Sequence, residues 1–384
     1  MASSSSSAAE GSTSSSNNDT FDPSLVAQAE AYIHAEVHLF SGCRDEQTSA
    51  DISNVELFGL PDPQGRAGGA CTSAMLKALY ATTSTSESSM SYGNVLSHMR
   101  SILSEGQYTQ IPQLTSSRPV DMHAPFHIVP TKCQDGVKRA VLIGINYTGT
   151  RGELSGCHND VKNVKKYLQT VHDFQEENIT MLLDDGDHTP PTKANILKAY
   201  DTLVKQCQEG DAVFCHYAGH GGSVPDTSGD EEDGYDETMI PIDYKTAGHV
   251  VDDELFKVLI CPMPKGVVLN CLVDCCHSGT ILDLPFTFIG DGTQQQMTFD
   301  KRFQFPHAKL VQNFHDGVVD WHWTVYVASV ITAIMAIAVP IVLLLLPIST
   351  TTISAPESVV VVPPQEPTGP LTMVRNLVRS LRRK

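Results

Sequence analysis

Positive charge is scarce in this chain: 26 Lys and Arg stand against 44 Asp and Glu, for a net charge of −18. That balance argues against nucleic acid as a partner, since gripping a phosphate backbone takes a basic surface. A Lys/Arg cluster leading into an apolar core is missing at the amino end, so no secretory signal peptide is expected. The 10 cysteines form no C-x-x-C pair. Zinc frameworks are therefore not indicated, and without a secretion signal the thiols are expected to be mostly reduced. What remains is ordinary for a globular protein, 41% hydrophobic over 384 residues, enough for a sizeable core in one or two domains.

Two stretches share one build. Val267 to Gly279 opens as an apolar, β-branched run and breaks into Asp-Cys-Cys-His-Ser-Gly; Ala212 to Ala218 is a shorter apolar run that ends in Gly219-His220-Gly221-Gly222. Each reads as a buried strand with reactive residues at its carboxyl end, where open α/β sheets keep their chemistry. A buried Cys or His alone is usually inert core. Together at two strand tips they point to nucleophilic catalysis, because a free thiol, with a pKa of about 8.5, is mostly protonated until an imidazole takes its proton. Cys276 is the expected nucleophile and His220 the base. The glycines let backbone approach closely, so the N–H groups of Gly221 and Cys276 are candidates for an oxyanion hole.

His220 in H-Y-A-G-H-G-G and Cys276 in D-C-C-H-S-G resemble the catalytic blocks of the metacaspases, relatives of caspases that cut after Arg or Lys rather than Asp. K-R-A-V-L-I-G-I-N-Y (Lys138 to Tyr147), G-C-H-N-D (Gly156 to Asp160) and D-G-Y-D-E (Asp233 to Glu237) extend the likeness over a large-subunit-like region from about Lys138 to Leu284. Upstream, F-S-G-C-R-D-E-Q-T-S-A-D (Phe40 to Asp51), the helical stretch Gly69 to Tyr80, S-Y-G-N-V-L-S-H-M-R and P-Q-L-T-S-S-R-P resemble the small-subunit-like region. In the family that region normally follows the catalytic cysteine. Here it comes first, an order similar to the type III metacaspases of algae, and one that chain termini lying close together make physically reasonable.

The resemblance implies a caspase-like α/β fold. The residues agree: strands at Arg139–Ile145 and Ile179–Leu183 alternate with helices after Gly156, where Asn159 or Asp160 would cap, and at Thr192–Cys207. Such alternation predicts a mostly parallel central sheet with helices on both faces. The expected organisation is a disordered Ser-rich tail (1–30), the small-subunit-like region (31–130), the catalytic region (131–300), a linker (301–323), one transmembrane helix (324–346) and a Pro/Val-rich linker with a basic tail (347–384).

A pocket for Arg or Lys needs carboxylates. The resemblance supplies Asp160 and Asp274, adds Cys157 as a lining residue, and places Ala218 where the family often has Ser, which removes one pocket hydrogen bond. It also implies calcium held by Asp236, Asp252, Asp253 and Asp283. The acidic run Gly229 to Glu237 does not fit an EF-hand, since Gly234 at the sixth position leaves Gly229 and Ile240 where acids are required. Activation by millimolar calcium is expected, with binding ordering the loops around the pocket. Protein substrates with Arg or Lys before the cut bond and a monomeric catalytic unit complete the implied picture.

Cys215 and Cys271 each lie five residues before a catalytic candidate, so matched register would make them neighbours: either a redox couple or two buried core thiols. Lys132, Lys138 and Arg139 near the junction of the two regions are candidate self-cleavage positions. Thr324 to Leu346 carries no charge, spans about 35 Å as a helix, and begins beside Trp321, Trp323 and Tyr326, all of which read as a membrane span. The basic residues of Met373 to Lys384 favour a cytoplasmic carboxyl end, whereas the thiols and missing signal favour a cytoplasmic catalytic domain. The second argument is the stronger for a domain this large, and the expectation is a tail-anchored enzyme facing the cytosol. The rival from another class is a catalytically silent, membrane-bound scaffold of the same fold.

Overall fold

Short runs of Val, Ile, Leu and Phe form the strands of this protein, and helices fall where apolar residues recur every three to four positions. The structure, a computed structural model, describes residues 21–42, 50–52, 54–83, 90–226, 234–300 and 303. The Ser-rich start, part of the F-S-G-C block, residues 229–233 of the acidic run with the two before them, the stretch read as a membrane span and the basic tail lie outside the described residues. Among the described residues no helix is long and apolar enough to cross a membrane.

In chain order the first region contains α1 (Pro23–Tyr32), β1 (Glu36–Ser41), β2 (Asp51–Ile52), β3 (Gly68–Gly69), α2 (Ala70–Thr83), α3 (Tyr92–Glu105) and β4 (Gln113–Ser116). The second contains β5 (Lys138–Gly144), α4 (Cys157–His172), β6 (Ile179–Leu183), α5 (Lys193–Gln206), β7 (Ala212–Ala218), β8 (Gly221–Pro225) and β9 (Tyr235–Met239). It continues through α6 (Tyr244–Ala247), β10 (Val250–Val251), α7 (Asp252–Leu255), β11 (Val268–Asp274), β12 (Phe286–Ile289) and β13 (Thr298–Phe299).

Eight strands form one sheet in the order β13-β12-β4-β1-β11-β7-β5-β6. The five strands from β1 to β6 in that order run parallel, and β4, β12 and β13 join through antiparallel pairs. The two regions are thus interleaved: β1 and β4 of the first lie between β11 and β12 of the second. The His38 imidazole of β1 meets the Asn270 amide of β11 at 3.1 Å, a buried polar tie across that seam. β8, β9 and β10 form a separate three-stranded sheet.

Alternation along the strands divides the core between two faces. Phe40, Leu142, Phe214 and Leu272 point toward residues of α2, α3 and α4, while Leu39, Val141, Val213, Leu269 and Val273 pack with Ile196, Tyr200 and Leu203 of α5. Truncating one of these, Leu269→Ala for instance, would cost about 2–5 kcal/mol. The expected caspase-like, mostly parallel sheet with helices on both faces is what the structure contains.

Two details depart from expectation. Residues 23–32, which composition assigns mostly to the tail, form α1, because Asp22 caps the Ser24 N–H at 2.8 Å and Pro23 occupies the first turn. Helix α4 begins at Cys157 with Gly156 at its cap position and no side-chain cap, so neither Asn159 nor Asp160 caps it. Their side chains turn instead to the first region: Asn159 Nδ2 donates to the Ala67 carbonyl at 2.9 Å and Asp160 Oδ2 accepts from the Gly69 N–H at 2.7 Å. The end of the acidic run forms part of β9 (Tyr235–Met239).

Candidate active site

Strands β7 and β11 are parallel neighbours in the register Cys215↔Cys271 and Ala218↔Asp274, so their carboxyl ends coincide. The residues that follow each tip, His220 and Cys276, line one cavity of about 210 Å3. Cys157, Asp160, Ala218 and Asp274 line it too, together with Ala50, Asp51 and Gly69 from the first region. The residues predicted for catalysis and substrate binding, Gly221 excepted, therefore meet at this cavity, and Gly221 packs against the Cys276 peptide. A Cβ at position 221 would come within 2.0 Å of the Cys276 carbonyl oxygen, so only glycine permits this approach.

The imidazole is held from several sides. His220 Nε2 lies 2.7 Å from the Gly152 carbonyl, which fixes the proton on Nε2 and leaves the Nδ1 lone pair as acceptor. Its backbone N–H donates to Tyr147 Oη at 3.0 Å, and its carbonyl accepts from Tyr217 Oη at 2.7 Å. The Tyr147 ring lies against the imidazole, with centroids 4.7 Å apart. Burial pushes both phenols well above the usual tyrosine range, so both remain proton donors. Residues 146–157, which carry Gly152, are braced in turn. Asn146 Oδ1 accepts from the Cys157 N–H at 3.0 Å, and Asp184 accepts from the Asn146 N–H at 2.8 Å and pairs with His158 at 2.5 Å.

The acidic end of the cavity depends on the first region. Asp274 Oδ2 accepts from both the N–H and the hydroxyl of Thr72 at 2.8 Å, in the first turn of α2. A helix amino terminus favours negative charge there. A Cβ on Gly69 would lie 2.1 Å from Asp274 Oδ2 and 3.2 Å from Asp160 Oδ2, so this glycine leaves room for both carboxylates. Burial, and after it the Asp274 charge, push the Asp160 carboxyl well above the usual carboxylate range. Burial and the Asp160 charge likewise raise the Cys157 thiol.

The residues expected to hold calcium are only partly gathered. Burial, followed by the Asp283 charge and then by Asp236 and Glu237, pushes the Asp252 carboxyl up to about 9. Asp253, by contrast, faces Lys257 at 3.0 Å. Among the described residues no group of three or more His, Cys, Asp or Glu side chains is arranged to hold a metal ion. The crowded, all-oxygen donor set nevertheless suits a hard cation. Thr280 Oγ1 donates to Glu237 Oε2 at 2.8 Å, tying the turn after Cys276 to β9 beside this cluster. Cys215 and Cys271 are opposite each other and buried on the α5 face, away from the cavity, and burial with the Cys271 contact raises the Cys215 thiol.

Sequence reasoning missed Asp51, Gly69, Thr72, Tyr147, Gly152 and Tyr217. Asp51 and Tyr147 close two of the motif blocks, which was a usable signal. Gly152 acts through a carbonyl, which no side-chain pattern reveals.

A thiol at the tip of this interleaved sheet, beside a histidine and an acidic pocket, defines a caspase-like cysteine peptidase. Family models agree in both regions: a caspase domain matches residues 4–123, and the metacaspase, peptidase C14 domain matches residues 138–285. The chain is 50% identical over 291 residues to Metacaspase III c of Phaeodactylum tricornutum, covering 75% of this chain and 85% of that one. It belongs to the metacaspase family, with the small-subunit-like region first. Metacaspase-1 of Coccidioides immitis and Metacaspase-1A of Aspergillus fumigatus are each 47% identical over 168 residues, which is 43% of this chain and 36% and 41% of theirs. The match thus spans less than half the length of these two fungal relatives.

Proposed function

We propose that this peptidase cleaves proteins after Arg or Lys, with Cys276 as nucleophile and His220 as general base, and that calcium activates it. The observation that carries the reading is the shared cavity: one space is lined by the thiol, the imidazole and the carboxylates Asp160 and Asp274. A basic side chain seated on those carboxylates brings the following peptide bond to Cys276. His220 Nδ1 accepts the thiol proton while Nε2–H stays on the Gly152 carbonyl. The thiolate then attacks the carbonyl carbon, and the N–H groups of Gly221 and Cys276 receive the oxyanion. Proton return from His220 to the leaving amine gives a thioester, and water activated by the same imidazole hydrolyses it.

Asp236, Asp252, Asp253 and Asp283 would hold calcium, which supplies a hard dication that offsets carboxylate crowding. Thr280 and Glu237 link that cluster to the turn after the nucleophile, so ordering one side steadies the other. The catalytic unit works as a monomer, anchored to a membrane by residues 324–346 with the peptidase in the cytosol. Lys138 and Arg139 start β5 at the end of the sheet opposite the cavity, about 20 Å from the tips, and self-cleavage there has to occur between molecules.

The test is hydrolysis of Arg-, Lys- and Asp-ended reporter peptides by the full-length chain, with and without calcium, beside Cys276→Ala. Calcium-dependent cleavage of the basic peptides, lost in the variant, is the expected result. Silence on all three from folded protein would favour the scaffold, and cleavage after Asp would overturn the pocket assignment.

A further inference from the structure

Asp51 is a third carboxylate on the cavity that holds Asp160 and Asp274, and it comes from the other region of the chain. β2 pairs Asp51 with Gly69, the residue whose missing side chain makes room for the two deeper carboxylates. Asp51 is exposed, and its Oδ2 is oriented by the N–H of Ser155 at 3.1 Å and the Ser155 hydroxyl at 3.2 Å. A Cβ on Gly156 would lie 2.6 Å from Asp51 Oδ1, so the start of α4 closes tightly on it. Its charge acts inside the cavity, being among those that raise Asp160 and Cys157.

We propose that Asp51 is a specificity residue at the mouth of this pocket and makes the enzyme prefer Arg to Lys. The inference rests on the pocket being the seat of a basic side chain and adds the selection between the two. Asp160 and Asp274 each give an oxygen to the chain, to Gly69 in one case and Thr72 in the other. A guanidinium carries five donors in a planar fork, whereas an ammonium carries three at a single point. A third carboxylate, exposed at the mouth, is therefore used by the fork and much less by the ammonium. Burying no charge of its own, Asp51 adds this selectivity without the desolvation that the deeper pair undergoes.

The experiment compares Asp51→Asn with Ser155→Ala in the full-length chain, on Arg- and Lys-ended reporters of otherwise identical sequence. Charge-assisted hydrogen bonds are strong enough that Asp51→Asn should lower kcat/KM for Arg by about 10- to 100-fold, mainly through KM, with a smaller loss for Lys. Ser155→Ala removes the hydroxyl contact but keeps the backbone N–H contact and the charge, so its Arg/Lys ratio should stay near wild type. An unchanged ratio in Asp51→Asn overturns the proposal. So does a matching fall in Ser155→Ala, because Asp51 would then act only by bracing residues 150–156. Wild-type enzyme that cleaves neither basic peptide refutes the underlying pocket reading, and is seen before any variant is compared.

Discussion

Adjacent glycines offer a sharp test of how the oxyanion site is built. In Gly221→Ala the new methyl would lie 2.0 Å from the Cys276 carbonyl oxygen and 2.7 Å from Cys275 Sγ, where 3.0 Å is the practical floor. The nearer obstacle is backbone, so relief requires a peptide unit to move by about 1 Å. Oxyanion donors work only within about 2.7–3.1 Å of the developing charge, and losing one costs about 10²–10³ in kcat, or about 2.7–4 kcal/mol. Gly221→Ala should therefore lose that much kcat. KM should change little, since Asp160 and Asp274 are fixed by Gly69 and Thr72. Gly222→Ala is the control: its methyl would meet Ile240 Cδ1 at 3.5 Å and Thr238 Oγ1 at 3.7 Å, ordinary contact. That variant should keep kcat within about threefold, as substitutions without a steric or polar penalty do. Steady-state kinetics on an Arg reporter, with melting curves to confirm folding, decides the matter. Near-normal kcat in Gly221→Ala, or equal damage in Gly222→Ala, would refute the reasoning.

Other expectations follow from charge and packing. Since burial and Asp274 raise the Asp160 carboxyl, kcat/KM for basic reporters should fall as pH drops through that raised value; Asp274→Asn should move this limb to lower pH while lowering the plateau, and a pH profile with an unmoved limb would contradict it. Asp252 is raised from 3.8 to about 9, so its contribution is fully present below the unfolded value and lost as pH rises through the folded one. Calcium-free protein should accordingly lose stability by up to about 1.4 kcal/mol per pH unit across that window. Denaturant titrations at pH 6 and 9 should show a smaller loss in Asp252→Asn, and an equal loss would exclude this group as the cause. Cys215 and Cys271 face each other in register, so Cys215→Ser or Cys271→Ser should abolish any reversible oxidant inhibition that acts through the pair, and inhibition that persists in both assigns it elsewhere.

The parts of this protein legible in the sequence are those where local pattern and tertiary role coincide. β7 and β11 read correctly because buried parallel strands are continuous apolar runs, and their tips stand out as abrupt changes to Gly, His and Cys. Asp160 was placed in the pocket only through the resemblance; its position in the first turn of α4 suggested a cap, and its real partner is the Gly69 N–H, 91 residues away in the chain. β12 and β13 are only four and two residues long, and the Gly290-Asp291-Gly292 turn between them was a usable hairpin signal that went unread. Helix α1 was hidden because its polar and alanine-rich positions blend into the tail. Contacts made by carbonyls and glycines, at Gly152 and Gly69, have no compositional signal at all.

The interleaving of the two regions has a consequence for biosynthesis. The first region leaves the ribosome with β1 and β4 made and the parallel neighbour of β1 still to come. His38 and its buried partner Asn270 are 232 residues apart, which at about 5–20 residues per second is roughly 12–46 s of translation. Through that interval the acidic pocket lacks Asp160 or Asp274 and the nucleophile does not exist. The order that puts the small-subunit-like region first thus leaves the cutting site incomplete until β11 and the turn after it are made, with only β12 and β13 of the sheet still to follow, so the nascent chain carries no nucleophile while every earlier strand is synthesised.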